Sequence, residues 1–104
     1  MKGIVWGATF ESAKKKLKEI EKQYKIYKRA EIINKRESKG IYEIEYSNGD
    51  RWKAVKCNEC SCGCRANVSY IDNQINTELI QCIILPCTTA APYHAIQYYW
   101  GEED

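Results

Sequence analysis

Four cysteines lie within eight residues of this chain, in the run C-N-E-C-S-C-G-C that starts at residue 57. Such close spacing is not typical of independent core residues, and thiolates are the soft ligands that zinc and iron–sulfur sites prefer. Structural zinc takes four nitrogen or sulfur donors, and the run opens with the Cys-x2-Cys pair common to such sites. We therefore predict a closed structural site for Zn²⁺. Its ligands are Cys57, Cys60, Cys62 and Cys64.

Three residues outside the run are alternative ligands, in a geometry where the run supplies only part of the metal shell. They are Cys82, Cys87 and His94. Cys82 lies beside Ile83 on a predicted helix, so burial as a small hydrophobic side chain is the preferred interpretation there. Reduced thiols without metal, and disulfide or redox chemistry, are the remaining interpretations of the run.

A length of 104 residues predicts a single domain over residues 1–104, whose modest core would gain from a metal staple. The sequence contains no apolar window of about 18 residues, so it predicts no membrane span. The N-terminal residues lack the apolar stretch of a secretory signal. We therefore expect a cytoplasmic protein, in a reducing compartment where clustered cysteines favour metal over disulfide. The oligomeric state stays open.

The net charge of +2 conceals a strong asymmetry along the chain. Residues 1–56 hold 15 of the 16 basic residues and 8 of the 14 acidic ones, a net charge of +7. Residues 57–104 hold one basic and six acidic residues, a net charge of −5. Such a dipolar chain can meet two kinds of surface. A solvated lysine-rich helix beside an acidic C-terminal tail is the plainer explanation.

Hydrophobic periodicity predicts one long amphipathic helix over about residues 10–28, with Thr9 as its N-cap. Its apolar stripe recurs at steps of three and four residues. The stripe consists of Phe10, Ala13, Leu17, Ile20, Tyr24 and Tyr27.

Period-two alternation and turn signals predict six strands. They cover residues 2–6, 30–36, 41–46, 51–56, 67–72 and 93–100. Asn48-Gly49 marks a tight hairpin, and Asn73 or Asn76 caps a short helix that Pro86 ends. The order of elements predicts an α+β fold: a single, mainly antiparallel sheet with the long helix on one face and a short second helix.

Asp72 ends an apolar strand, the position at which P-loop ATPases carry a magnesium-binding acid. The chain lacks the G-x-x-x-x-G-K-[ST] loop that cradles phosphates, so we expect Asp72 to act as a turn or cap residue. We expect no enzymatic activity.

The segments S-N-G-D-R-W-K-A-V (47–55), G-C-R-A-N (63–67) and Y-I-D (70–72) resemble phage terminase large-subunit ATPases over about residues 47–90. In that family a hairpin strand carries an N-G-S/D pattern, and a loop with R-G precedes a strand ending in the Walker B acid, here Asp72. The chain departs from the family in three ways: the phosphate loop is missing, Asn73 replaces the second acid, and cysteines fill the intervening loop. The resemblance implies a small phage-encoded protein that reuses this scaffold.

The short chain, the C-x2-C-x-C-x-C loop and the dipolar charge also resemble zinc-binding anti-CRISPR proteins that inhibit the type II RNA-guided nuclease. This resemblance implies a stoichiometric inhibitor, acting in the host cytoplasm, that blocks nucleic-acid loading. Its acidic residues would mimic phosphate and its aromatic residues would anchor the partner. The predicted partner surface comprises Glu59, Asp72, Glu78, Glu102, Glu103, Asp104, Tyr98, Tyr99 and Trp100.

The alternative function is a small zinc-containing nucleic-acid-binding phage protein derived from a terminase ATPase fragment. The lysine-rich helix would then contact phosphates, and Arg51, Trp52 and Lys53 would form a mixed basic and aromatic patch. A nucleotide-hydrolysing or thiol redox enzyme is the third hypothesis, which loss of turnover on Asp72→Ala would support.

Overall fold

The computed structural model describes residues 2–27, 30–57, 66–84 and 96–101 of the chain. These residues form six strands and two helices around one sheet. The elements are β1 (Lys2–Gly7), α1 (Phe10–Tyr27), β2 (Ile32–Ser38), β3 (Ile41–Tyr46), β4 (Arg51–Lys56), β5 (Val68–Asp72), α2 (Thr77–Leu79) and β6 (Ile96–Trp100). The predicted long helix and the predicted strands are therefore confirmed, with β2 starting two residues later than expected. Residues 93–95 of the predicted last strand lie outside the described residues.

Side-chain caps begin both helices where the sequence predicts them. The Thr9 hydroxyl accepts a hydrogen bond of 3.1 Å from the Ser12 N–H, which satisfies one of the free donors in the first turn of α1. The Asn76 side chain accepts one of 2.8 Å from the Glu78 N–H at the start of α2. After three residues α2 continues as a wider π-helical turn, Ile80–Ile84.

The sheet has the strand order β2-β3-β4-β1-β5-β6. The hairpin strands β2, β3 and β4 are antiparallel, as predicted. However, β1 lies between β4 and β5 and is parallel to both, and β6 is parallel to β5. The prediction of a mainly antiparallel sheet was wrong, because three of the five pairings are parallel. Periodicity along a strand does not report the direction of its neighbours.

Helix α1 covers one face of the sheet with the apolar stripe that the sequence predicts. Gly3 of β1 lies so close to Trp52 that a Cβ at this position would overlap the indole ring. The helix-facing core consists of Val5, Ala13, Leu17, Ile20, Tyr24, Ala30, Tyr42, Ile44, Tyr46, Trp52, Ala54 and Val68.

The opposite face of the sheet is covered near β1 and β5 by the residues that follow β5. Ile75, Ile83 and Ile84 pack there against Ile4 and Trp6. The two core layers place β1 and β5 at the centre of the fold, where they are buried on both faces as parallel strands usually are. Among the described residues no helix is long and apolar enough to cross a membrane.

Candidate functional site at the carboxyl ends of the parallel strands

The Asp72 carboxylate, at the end of β5, joins three segments of the chain. One oxygen accepts hydrogen bonds from the Ala8 N–H at 3.1 Å and from the Ser12 hydroxyl at 2.8 Å. The other oxygen accepts from the Gln74 N–H at 3.0 Å, which closes the turn after β5. The side chain is only 4% exposed. The predicted turn role of Asp72 is thus confirmed, and its carboxylate also fixes the connection from β1 to α1.

An open groove of about 670 Å³ adjoins this carboxylate at the carboxyl edge of the sheet. Ligands of open α/β sheets usually bind at this edge, because the loops and helix starts that follow parallel strands converge there. The groove combines two acids, a hydroxyl, an amide, two ammonium groups and an indole ring. Its lining residues are Ser12, Lys15, Lys16, Glu19, Asp72, Gln74, Trp100 and Gly101.

The Lys16 ammonium lies between aromatic rings on the side of the groove nearest β6. Its Nζ is 5.9 Å from the ring centroids of both Tyr70 and Trp100, within the range of cation–π attraction. The Glu19 carboxylate, one turn further along α1, lies 3.6 Å from the same Nζ. Sequence reasoning named Trp100 but missed Lys16, whose position against the rings depends on which helix face meets β5 and β6.

The solvent side of α1 carries an excess of positive charge. Lys14 is engaged by Glu37 of β2 at 2.7 Å, and this hydrogen bond lowers the pKa of the Glu37 carboxyl. In contrast, Lys15, Lys18 and Lys22 are exposed, and none of them has an ion pair with another described residue. The lysine-rich helix therefore presents three exposed charges without an ion pair in the described part of the chain, although the charge of Lys18 helps to lower the pKa of the Glu37 carboxyl.

A second polar cluster lies at the other end of α1, against β2 and β3. The Tyr42 hydroxyl donates a hydrogen bond of 2.8 Å to Glu21, whose other oxygen is 3.4 Å from Lys35 Nζ. Hydrogen bonding to Tyr42 is the main cause that raises the pKa of Lys35, and burial is the main cause that raises the pKa of Tyr42. Because Glu21 is matched by donors from both neighbours, we assign this cluster a structural role between helix and sheet.

Only two of the seven candidate metal ligands fall within the described residues. Cys57 is buried after β4, and Cys82 is exposed, so the expectation of a buried Cys82 was wrong. The π-helical turn directs Ile83 and Ile84 inward and leaves Cys82 outside. Within the described ranges no group of three or more His, Cys, Asp or Glu side chains could hold a metal ion. The other predicted ligands, Cys60, Cys62, Cys64, Cys87 and His94, lie outside the described residues.

The predicted acidic partner surface is only partly covered by the structure. Asp72 is buried, so its charge does not contribute to an exposed acidic patch, whereas Glu78 is exposed on α2. The aromatic members lie on β6, where Tyr98 is 47% and Tyr99 57% exposed and Trp100 is half-buried. The remaining acids, Glu59, Glu102, Glu103 and Asp104, lie outside the described residues.

The basic and aromatic patch predicted on β4 does not form. Trp52 is only 4% exposed and packs under α1, so its ring is not available to a ligand. Arg51 and Lys53 lie on the opposite face, where Arg51 Nε is 3.5 Å from Glu45. Alternation along the strand separates the ring from the charges that flank it in sequence.

The described residues define a mixed α+β protein with one six-stranded sheet, in which four parallel strands, β4, β1, β5 and β6, end at a common edge and a helix crosses one face. Among solved structures, this chain is similar to the large terminase ATPase domain of Thermus phage P74-26, solved as an arginine-to-alanine mutant. The TM-score is 0.58 at 10% sequence identity. The match covers 97% of this chain and 48% of that chain, so this chain spans about half the length of that domain. No protein-family model and no curated protein matches this sequence.

At this identity the comparison concerns the fold alone. The resemblance to terminase ATPases that the sequence shows around residues 47–90 is therefore confirmed as a likeness of fold, and it extends over nearly the whole chain. The comparisons bring no support for the resemblance to anti-CRISPR proteins, which stays a prediction.

Proposed function

We propose that the protein is a small phage-encoded binding module, built on a fold like half of a terminase ATPase domain, that binds the phosphate backbone of nucleic acid through α1. The observation that carries this proposal is the set of three exposed lysines on α1, Lys15, Lys18 and Lys22, none of which forms an ion pair with another described residue. Lysine side chains that neutralise phosphates release condensed counterions, which is the main source of sequence-independent affinity.

The spacing of the three lysines suits a polyanion better than a compact ligand. They lie at i, i+3 and i+7, on one face of the helix, and rise about 10 Å along its axis. One strand of B-form DNA has a phosphate about every 3.4 Å of axis, so the length of the stripe spans about three phosphate intervals. A small anion would instead be held by groups that converge on one point.

The chemistry around Asp72 favours binding over catalysis. Its carboxylate already accepts hydrogen bonds from Ala8, Ser12 and Gln74, all within the chain. Through these hydrogen bonds the Asp72 carboxylate stabilises the β1–α1 connection and the turn after β5. We therefore propose a module without nucleotide turnover, in agreement with the missing phosphate loop in the sequence.

Fluorescence anisotropy with a labelled DNA duplex of arbitrary sequence, measured over a series of salt concentrations, tests the proposal. We expect binding that weakens steeply with salt. The double variant Lys18→Gln/Lys22→Gln should reduce the magnitude of the slope of log K against the logarithm of the salt concentration by about 2. Each lost phosphate contact accounts for about one unit of this slope.

The matched control is Lys2→Gln/Lys39→Gln, which removes the same charge at exposed positions away from α1. It should leave the salt dependence nearly unchanged. Equal effects of the two double variants would show a general charge effect and overturn the assignment to α1, and no measurable DNA binding at low salt would overturn the proposed function.

The zinc-stabilised inhibitor of an RNA-guided nuclease stays a second proposal, supported by the cysteine run of the sequence. Of the acidic residues predicted for the inhibitor's contact surface, only Glu78 is both described and exposed. Salt-tolerant capture of a nuclease complex from host lysate by the tagged protein, without binding to free DNA, would favour this proposal over the first.

A further inference from the structure

A series of aromatic rings crosses the sheet beneath α1 and ends at the β6 edge. The rings of Trp52 and Tyr70 lie 5.7 Å apart, and those of Tyr70 and Tyr98 stack at 4.9 Å with an angle of 25°. Burial increases along this series away from the edge: Tyr98 is 47% exposed, Tyr70 is half-buried and Trp52 is 4% exposed. The core therefore holds Tyr70 in place, and Tyr70 in turn supports one face of the exposed Tyr98 ring.

Positive charge lies directly beside this aromatic edge. Lys16 Nζ is 5.9 Å from the rings of both Tyr70 and Trp100, and Lys15 lines the same groove as Trp100. Tyr98 stacks on Tyr70, and Lys16 lies against Tyr70 and Trp100, so an exposed ring and a lysine share this edge, with the Lys16 charge partly offset by Glu19 at 3.6 Å. Exposed rings and lysines on one surface are the combination found where proteins bind single-stranded nucleic acid: bases stack on the rings and phosphates contact the cations.

We propose that this aromatic–basic edge, defined as Tyr98, Trp100, Lys15 and Lys16, binds single-stranded nucleic acid in preference to duplex, with an unpaired base stacked on Tyr98. The inference rests on the proposed function and names the form of nucleic acid that the protein binds. A duplex keeps its bases stacked inside the helix, so only a single strand offers a base face to a protein ring.

The orientation of β6 supplies a matched control. Side chains alternate along a strand, so Tyr99 lies on the face opposite to Tyr98 and Lys16. It is 57% exposed, slightly more than Tyr98. A general effect of removing an exposed tyrosine would appear equally in both variants, whereas stacking at the aromatic–basic edge depends on Tyr98 alone.

The experiment compares the affinity of the full chain for a labelled oligothymidylate and for a labelled duplex of the same length, by fluorescence anisotropy at one salt concentration. We expect tighter binding to the single strand. Tyr98→Ala should weaken single-strand binding about tenfold to a hundredfold. Duplex binding by this variant should be unchanged. Tyr98→Phe should keep the affinity because it keeps the ring, and Tyr99→Ala should match the unsubstituted protein.

The possible failures are distinguishable. Binding to neither probe would overturn the proposed function together with this inference. Equal binding to both probes, or an unchanged single-strand affinity in a folded Tyr98→Ala variant, would overturn the inference and leave binding through α1 standing. Loss of binding in Tyr99→Ala as large as in Tyr98→Ala would also overturn it. Far-ultraviolet circular dichroism of each variant tests whether the exposed substitutions leave the fold intact.

Discussion

The Ser12 hydroxyl donates a hydrogen bond of 2.8 Å to the carboxylate of Asp72, which follows it by 60 residues in the chain. The bond links the first turn of α1 to the end of β5 across the carboxyl edge of the sheet. The same carboxylate oxygen accepts from the Ala8 N–H. One buried acid therefore sets the position of the β1–α1 connection, and with it the start of the helix that carries the lysine stripe.

Replacing Asp72 with alanine should destabilise the protein strongly. The change removes the acceptor for three donors, and unsatisfied buried donors are costly, so we expect the free energy of unfolding to fall by about 2–4 kcal/mol. Ser12→Ala, which removes one donor and leaves the acid paired with two backbone N–H groups, should cost about 1 kcal/mol. Urea unfolding followed by circular dichroism measures both, and an Asp72→Ala variant as stable as Ser12→Ala would contradict the role assigned to the acid.

Replacing Gly3 with alanine should destabilise the core through a steric clash. The added Cβ would overlap the ring of Trp52, which is held between α1 and its aromatic neighbours, so we expect a loss of about 1–3 kcal/mol. Gly40→Ala is the control: nothing lies near the added methyl group, and only the positive φ of 77° opposes it, at about 1 kcal/mol. Thermal unfolding of both variants and of the unsubstituted protein measures the two effects, and a Gly3→Ala midpoint equal to that of the unsubstituted protein would contradict the close approach of β1 to Trp52.

Tyr46 should make the stability of the protein fall at alkaline pH. Burial of the ring raises the pKa of its hydroxyl from 10.0 to about 12. The unfolded chain therefore loses this proton at lower pH than the folded protein does. The contribution of the Tyr46 hydroxyl to the free energy of unfolding is fully present below pH 10. It is lost as the pH rises from 10 towards about 12.

Tyr46→Phe tests this assignment at two pH values. At neutral pH the variant should be at least as stable as the original, because the buried Tyr46 hydroxyl has no hydrogen-bond partner among the described residues. Above pH 10 its urea midpoint should decline less, although Tyr42 and Tyr70, whose pKa values burial also raises, keep part of the decline. Tyr99→Phe, at an exposed ring, serves as the control and should follow the original protein at both pH values.

Freshly purified protein should contain about one zinc ion, if the cysteine run binds metal as its spacing predicts. Cys60→Ser should then lower both metal content and stability, since structural zinc contributes on the order of 10 kcal/mol of apparent binding energy. Cys82→Ser distinguishes the two ligand sets: unchanged metal content would assign the ligands to the run, and loss of metal would make the exposed Cys82 thiol a ligand. Elemental analysis that finds no metal in protein prepared without chelator would refute the zinc site.

Local features of the fold follow from the sequence because they depend on neighbours along the chain. The apolar stripe from Phe10 to Tyr24 specifies α1, Thr9 and Asn76 specify the two helix starts, and Asn48-Gly49 specifies the β3–β4 hairpin, with Gly49 at a φ of 92°. Each signal acts within a few residues, so no knowledge of the rest of the fold is needed. The three segments that resemble terminase ATPases likewise lie close together in the chain, between residues 47 and 72.

Tertiary structure alone decided the direction of the strands and the make-up of the candidate site. Insertion of β1 between β4 and β5 makes the centre of the sheet parallel, which alternation within a strand cannot reveal. The same insertion places Ser12 within hydrogen-bond distance of Asp72. The packing of α1 on the sheet places Lys16 beside the rings of Tyr70 and Trp100. The sequence by itself determined which residues are apolar, charged or capping. Contacts between residues far apart in the sequence depended on packing between elements. Burial of both sheet faces selects one arrangement of the elements from many that share the same local pattern.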